Sequence, residues 1–114
     1  MEIRSRVVNG IDIVELEGRF DAFVVPQVSS WFDEHPEASH VIVDLGGVSF
    51  IDSLGLSTLV KGLKRCRQHQ GDLYLCNLQQ SVLMVFELTR LNQAFTILQD
   101  VETALEAFEN AKQH

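Results

Sequence analysis

Apolar and polar residues alternate with a period of two at the start of the chain. Glu2 to Val8 and Ile11 to Glu17 therefore predict two β-strands. Asn9-Gly10 between them predicts a tight hairpin, because both residue types tolerate positive φ. In the second stretch Ile11 and Ile13 alternate with Val14 and Leu16, so both faces are partly apolar and the strand is expected to be covered on both sides. Gly18 is expected to end it, with Arg19-Phe20-Asp21 as a short extended link.

The period then becomes helical. Val25, Val28, Trp31 and Phe32 form one stripe behind Pro26, a residue suited to a first helical turn, and Pro36 stops the helix. The β-branched run Val41-Ile42-Val43, with Leu45, predicts an interior parallel strand over residues 40 to 45. A turn at Gly46-Gly47 is expected next. Asp52-Ser53 then opens a long amphipathic helix with Leu56, Leu59, Val60, Leu63 and Cys66 on one face, and Gly71 is its expected stop. Leu73 to Cys76 reads as a strand. Ser81 is the expected cap of a helix through Leu88, with Val82, Val85 and Phe86 turned inward. Leu83 and Met84 make that helix apolar nearly all round, which fits either deeper burial or a patch for a partner or a weak homodimer. Phe95 to Leu98 predicts a last short strand. Asp100 caps a final helix with Val101, Ala104, Leu105 and Phe108 on one side.

The order β-β-α-β-α-β-α-β-α predicts an α/β fold with a largely parallel sheet. One domain over residues 1–114 is expected, with residues 110–114 as a frayed tail. In such sheets functional loops lie beyond the carboxyl ends of the strands. That draws attention to residues 46–53 and to the 18–21 segment.

Composition narrows the function. Hydrophobic residues make up 46% of the chain, enough for a core, and no apolar run approaches the roughly 20 residues of a membrane span. The start, MEIRSRVV, has no signal-peptide core, and Cys66 and Cys76 suit a reducing compartment, so a cytoplasmic location is expected. The net charge of −7 argues against nucleic acid and anionic membranes as partners. The histidines show no metal-ligand spacing, the glycines no phosphate loop, and no triad surrounds Ser53. Neither an enzyme nor a resident cofactor is expected. On the residues alone, either Asp52 or Ser53 is a helix cap and Asp21 a turn residue.

Several stretches together resemble the STAS domain in its small single-domain form, the anti-sigma factor antagonist. They are Gly18-Arg19-Phe20-Asp21, Val41 to Leu45 leading into Val48-Ser49-Phe50-Ile51-Asp52-Ser53 with Gly55-Leu56, and the later pattern around Leu91, Phe95-Thr96-Ile97 and Glu102 to Leu105. The resemblance implies a four- or five-stranded mixed sheet with about four helices. It also implies partner switching: the unmodified protein binds a serine-kinase anti-sigma factor, the kinase phosphorylates the serine after the Asp, and a serine phosphatase reverses this. That serine is Ser53. Asp21, Asp52, Leu54, Gly55, Leu56 and Ser57 are the accompanying partner-binding candidates, with Gly55 leaving room for a close approach. Leu54 stands where the family commonly has a second hydroxyl, Gln80 where proline is frequent, and Leu83 and Met84 where basic residues are common. The alternative is a structural STAS subunit of a stress-signalling or lipid-transport assembly, with a permanent interface.

Overall fold

The computed structural model describes residues 1–112. Strands β1 (Glu2–Val8) and β2 (Ile11–Phe20) form an antiparallel hairpin. Helix α1 (Val25–Glu34), β3 (His40–Ile51), α2 (Ser53–Gln68), β4 (Asp72–Cys76), α3 (Gln80–Leu88), β5 (Thr96–Leu98) and α4 (Val101–Lys112) follow. A single 3₁₀ turn, Leu91–Gln93, precedes β5. The five strands lie in the order β1-β2-β3-β4-β5, and every neighbouring pair after the hairpin is parallel.

This sequential order decides where the helices go. Each β-α-β crossover steps in the same direction across the sheet, and right-handed crossovers then place α1, α2 and α3 on one face. The larger core lies on that face. Val14, Leu16, Val41, Val43, Leu45, Leu73 and Leu75 of the strands pack with Val28 and Phe32, with Leu59 and Leu63, and with Val82 and Phe86 of the three helices. Ile11, Ile13, Ile42 and Tyr74 point the other way and pack on Ala104 and Phe108 of α4. The period-two alternation of β2, β3 and β4 is thus divided between two apolar layers. The Tyr74 and Phe108 rings stack at 3.8 Å between centroids.

Four local expectations need correction. Strand β2 does not end at Gly18. That glycine takes φ +117° within the strand, and pairing continues to Phe20. Gly46-Gly47 is not a turn: β3 runs through it to Ile51, held by pairs such as Gly18 with Val48 and Phe20 with Ile51. Register shifts in this stretch let β3 follow the bent β2, and a side chain at position 47 would press on Glu17 at 3.0 Å. Helix α2 ends at Gln68, and the left-handed residue beyond its end is Gln70, at φ 65°, not Gly71. Ser81 caps nothing; α3 starts one residue earlier, and the Ser81 hydroxyl donates to the Ser49 carbonyl at 3.2 Å.

Other expectations correspond. Asn9 and Gly10 both have positive φ, at 52° and 79°. Asp100 accepts from the Thr103 N–H at 2.8 Å and so caps α4. The tail is an exception: Asn110 to Lys112, expected to fray, belong to α4, and residues 113–114 lie outside the described residues. On α3, Val82 and Phe86 are buried, Leu83 and Val85 half-buried, and Met84 and Leu88 exposed. Burial pushes the thiols of Cys66 and Cys76 up to about 12, so both are inert core groups.

Candidate functional site

The site lies where the carboxyl ends of β2 and β3 meet the start of α2. It is built on Asp52. The last residue of β2, Phe20, accepts the Asp52 N–H on its carbonyl at 3.1 Å. The Asp52 backbone is still extended, at φ −103° and ψ −178°, so its side chain turns back over the helix that follows. One carboxylate oxygen accepts the Gly55 N–H at 2.8 Å, closing the first turn of α2. The other accepts the Ala22 N–H at 3.1 Å, from the loop after β2. One carboxylate therefore caps a helix and fastens a second loop beside it.

Ser53 is the first residue of α2 and is exposed. Its hydroxyl makes no hydrogen bond among the described residues. The choice of cap that the sequence left open is settled: Asp52 satisfies the helix end, and the Ser53 hydroxyl stays available. The helix holds its position because Leu56, Leu59 and Leu63 are buried against the sheet. Each contributes about 1.5–3 kcal/mol.

Gly55 has a different role from the one expected. It is buried, and a Cβ there would lie 2.7 Å from the Phe20 carbonyl oxygen and 2.9 Å from Ile51 Cγ1. The close approach it permits is that of α2 to the end of β2, inside the molecule. Leu56 is buried as well. The candidates that reach the surface are Ser53, Leu54 and Ser57, with Asp52 half-buried. Gly55→Ala should cost about 1–3 kcal/mol, as overpacking against fixed backbone does. Thermal unfolding measures it.

Asp21 sits on the loop that Asp52 fastens. Its carboxylate accepts the Phe23 N–H at 3.1 Å and lies 3.8 Å from the Arg19 guanidinium. Its carbonyl accepts from Val24 and Val25, which turns the chain into α1. Arg19 in turn lies over the Phe50 ring at 4.1 Å. Phe23, Phe50 and Leu54 are exposed large apolar residues, and Phe23 is 90% exposed. The sequence does not single out Phe23, and it points to Arg19 only within the Gly18 to Asp21 stretch. Phe23 falls outside every helical stripe, and its exposure depends on a loop whose shape the sequence does not announce.

Asp52→Asn tests the double duty of the carboxylate. Asparagine offers one carbonyl oxygen, so either Gly55 or Ala22 loses its acceptor. The expected loss is about 0.5–1.5 kcal/mol, the net worth of one hydrogen bond. Urea unfolding, with amide exchange at Ala22 and Gly55, shows which bond was lost.

Fold and site together define a small α/β domain of the STAS class, with an Asp-Ser pair at the end of its central strand. The chain belongs to the STAS domain family, whose family model matches residues 2–104. It is 32% identical over 99 residues to the anti-sigma-B factor antagonist of Listeria monocytogenes, covering 85% of this chain and 86% of that protein. Among solved structures it resembles an anti-sigma-factor antagonist (STAS) domain protein from Planctomyces limnophilus. That match has a TM-score of 0.85 at 24% identity, over 94% of this chain and 97% of the other. It also resembles the Bacillus cell fate determinant SpoIIAA in its phosphorylated form, with a TM-score of 0.73 at 18% identity over 93% and 98% of the two chains. At those identities the structural likeness is one of fold. The sequence relatives are regulatory antagonists rather than enzymes. No helix among the described residues is long and apolar enough to cross a membrane.

Proposed function

We propose that this chain is an anti-sigma factor antagonist switched by phosphorylation of Ser53. The unmodified protein binds a serine-kinase anti-sigma factor and so frees the sigma factor. The kinase transfers phosphate to the Ser53 hydroxyl, the complex parts, and a serine phosphatase restores the first state. The chain performs no catalysis; the kinase brings ATP and magnesium.

One observation carries the reading: the Ser53 hydroxyl stands exposed and, among the described residues, without a hydrogen bond at the first position of α2, beside a carboxylate already committed to two backbone amides. A hydroxyl spent on capping would have to leave the helix end to be modified. This one does not. Asp52, Leu54 and Ser57, with Phe23 and Phe50, form the surrounding contact surface in this reading, and Asp21 fixes the loop that presents Phe23.

Incubation with the anti-sigma kinase of the source organism and ATP, followed by mass-spectrometric site mapping, tests the substrate claim. Phosphate is expected on Ser53 and on no other serine or threonine, with no incorporation into Ser53→Ala. Incorporation at another residue, with Ser53 unmodified, rejects the reading. A stable complex that persists unchanged after Ser53 is phosphorylated would favour a structural subunit instead.

A further inference from the structure

The exposed side of α2 beyond Ser53 carries a charge pattern that the switch itself does not use. The chain has 9 Lys and Arg against 16 Asp and Glu. Four of those nine, Lys61, Lys64, Arg65 and Arg67, lie on α2, which contains no acidic residue. By contrast α1 carries Asp33 and Glu34, α3 carries Glu87, and α4 carries Glu102, Glu106 and Glu109.

The two arginines are partnered within the molecule. Arg65 meets Asp33 at 3.1 Å, and Arg67 meets Asp72 at 3.5 Å. Lys61 and Lys64 are exposed and make no ion pair among the described residues. At about 100° of turn per residue, Ser53, Ser57, Lys61 and Lys64 fall within an arc of roughly 80°, one stripe along the helix. Lys61 and Lys64 lie about 12 and 16 Å along the axis from Ser53. Among the described residues α2 thus presents a basic strip on an acidic molecule, and that strip begins at the hydroxyl.

Resting on the reading of Ser53 given above, we infer that the partner lies lengthwise along α2, with an acidic face of the anti-sigma kinase against Lys61 and Lys64 and its phosphotransfer centre at Ser53. Charge complementarity selects this occupant. The rest of the chain is net acidic and repels an acidic surface, so docking along α2 is the favoured orientation, and it places the hydroxyl at its end. The spacing also keeps attraction and switch independent. Lys61 stands eight residues from Ser53, outside the i, i+3 and i, i+4 spacings at which helix side chains pair, so it is not placed to neutralise a phosphate on Ser53. The lysines bring the partner in and set its register; the phosphate expels it.

The test measures association of the purified kinase with the full chain over a range of salt. Lys61→Glu/Lys64→Glu should lower kon about tenfold or more at low salt and flatten its salt dependence. Lys61→Gln/Lys64→Gln should give an intermediate loss, and circular-dichroism melting should show all three proteins equally folded. Ser53→Asp serves as the separate probe of the switch. Should the wild type bind and Ser53→Asp fail, while the charge reversal keeps the wild-type kon and salt slope, the docking inference is overturned and the switch stands. Should the wild type and Ser53→Asp bind alike, the switch itself is overturned. Retention of the wild type on phosphatidylserine vesicles, lost on charge reversal with kinase binding unchanged, would assign the lysines to a membrane and overturn the inference too.

Discussion

Ser53→Asp is expected to weaken binding to the anti-sigma kinase by about a hundredfold or more, while Ser53→Ala binds as the wild type does. The size follows from where the charge lands. The Ser53 side chain is exposed in the free protein, and the proposed complex would cover it, so a charge there would be desolvated only on binding. An unpaired charge buried at an interface costs several kcal/mol, and each 1.4 kcal/mol is tenfold in affinity. Among the described residues no side chain nearby is free to pair with it. Arg19 is held between Asp21 and the Phe50 ring, and the Asp52 carboxylate beside it is itself negative. Within the free protein the same charge is tolerated, because the amino end of α2 favours an anion by about 0.3–1 kcal/mol. The folding stability of Ser53→Asp should therefore stay within about 0.5 kcal/mol of the wild type. Calorimetric titration gives the affinities and urea unfolding the stabilities. Equal affinity for the two variants would rule out a charge switch. Equal loss in both would mean that the hydroxyl itself, rather than its neutrality, is what the partner reads.

The relation between sequence and structure varies along the chain. Periodicity was sufficient wherever a whole element buries one face: the stripe Leu56, Leu59, Leu63, Cys66 appears as α2, and the alternation in β2 appears as two apolar layers. It failed where backbone partners decide. Gly46-Gly47 has the composition of a turn, yet a strand continues through it because β2 lies alongside and offers a ladder. Ser81 has the chemistry of a cap, yet its hydroxyl found the Ser49 carbonyl, a residue 32 positions away. The site divides in the same manner. Asp52 and Ser53 were legible from local helix chemistry together with a family pattern. That Asp52 also fastens Ala22, and that Phe23 therefore stands out in solvent, depends on a contact between loops 30 positions apart. In the sequence alone, Gly55 invites a close approach from outside, because a glycine permits one. Only the fold reveals that the approaching group is the Phe20 carbonyl.

Gly71→Ala should be the most damaging single methyl in the molecule, lowering stability by roughly 3–5 kcal/mol. As a helix stop, this glycine would be worth little, because Gln70 already supplies the left-handed residue at φ 65°. Its own role is steric. A Cβ at position 71 would overlap the Ser39 carbonyl group, main chain against main chain. Neither side is free to retreat. The Ser39 carbonyl accepts the Asp72 N–H at 2.9 Å, next to the His40–Asp72 pair that opens the β3–β4 ladder, and the Gly71 N–H donates to the Cys66 carbonyl at 2.9 Å. Relief spreads to both sides, shifting the start of β4 away from β3 and loosening the end of α2. Overpacking alone costs about 1–3 kcal/mol, and the two hydrogen bonds add about 0.5–1.5 kcal/mol each. Against the 5–15 kcal/mol typical of a domain, such a loss should lower the unfolding midpoint by about 12 °C or more. Urea and thermal unfolding measure both quantities. If the residue acted only through its backbone freedom, alanine would cost about 1 kcal/mol or less, and that result would refute the steric account.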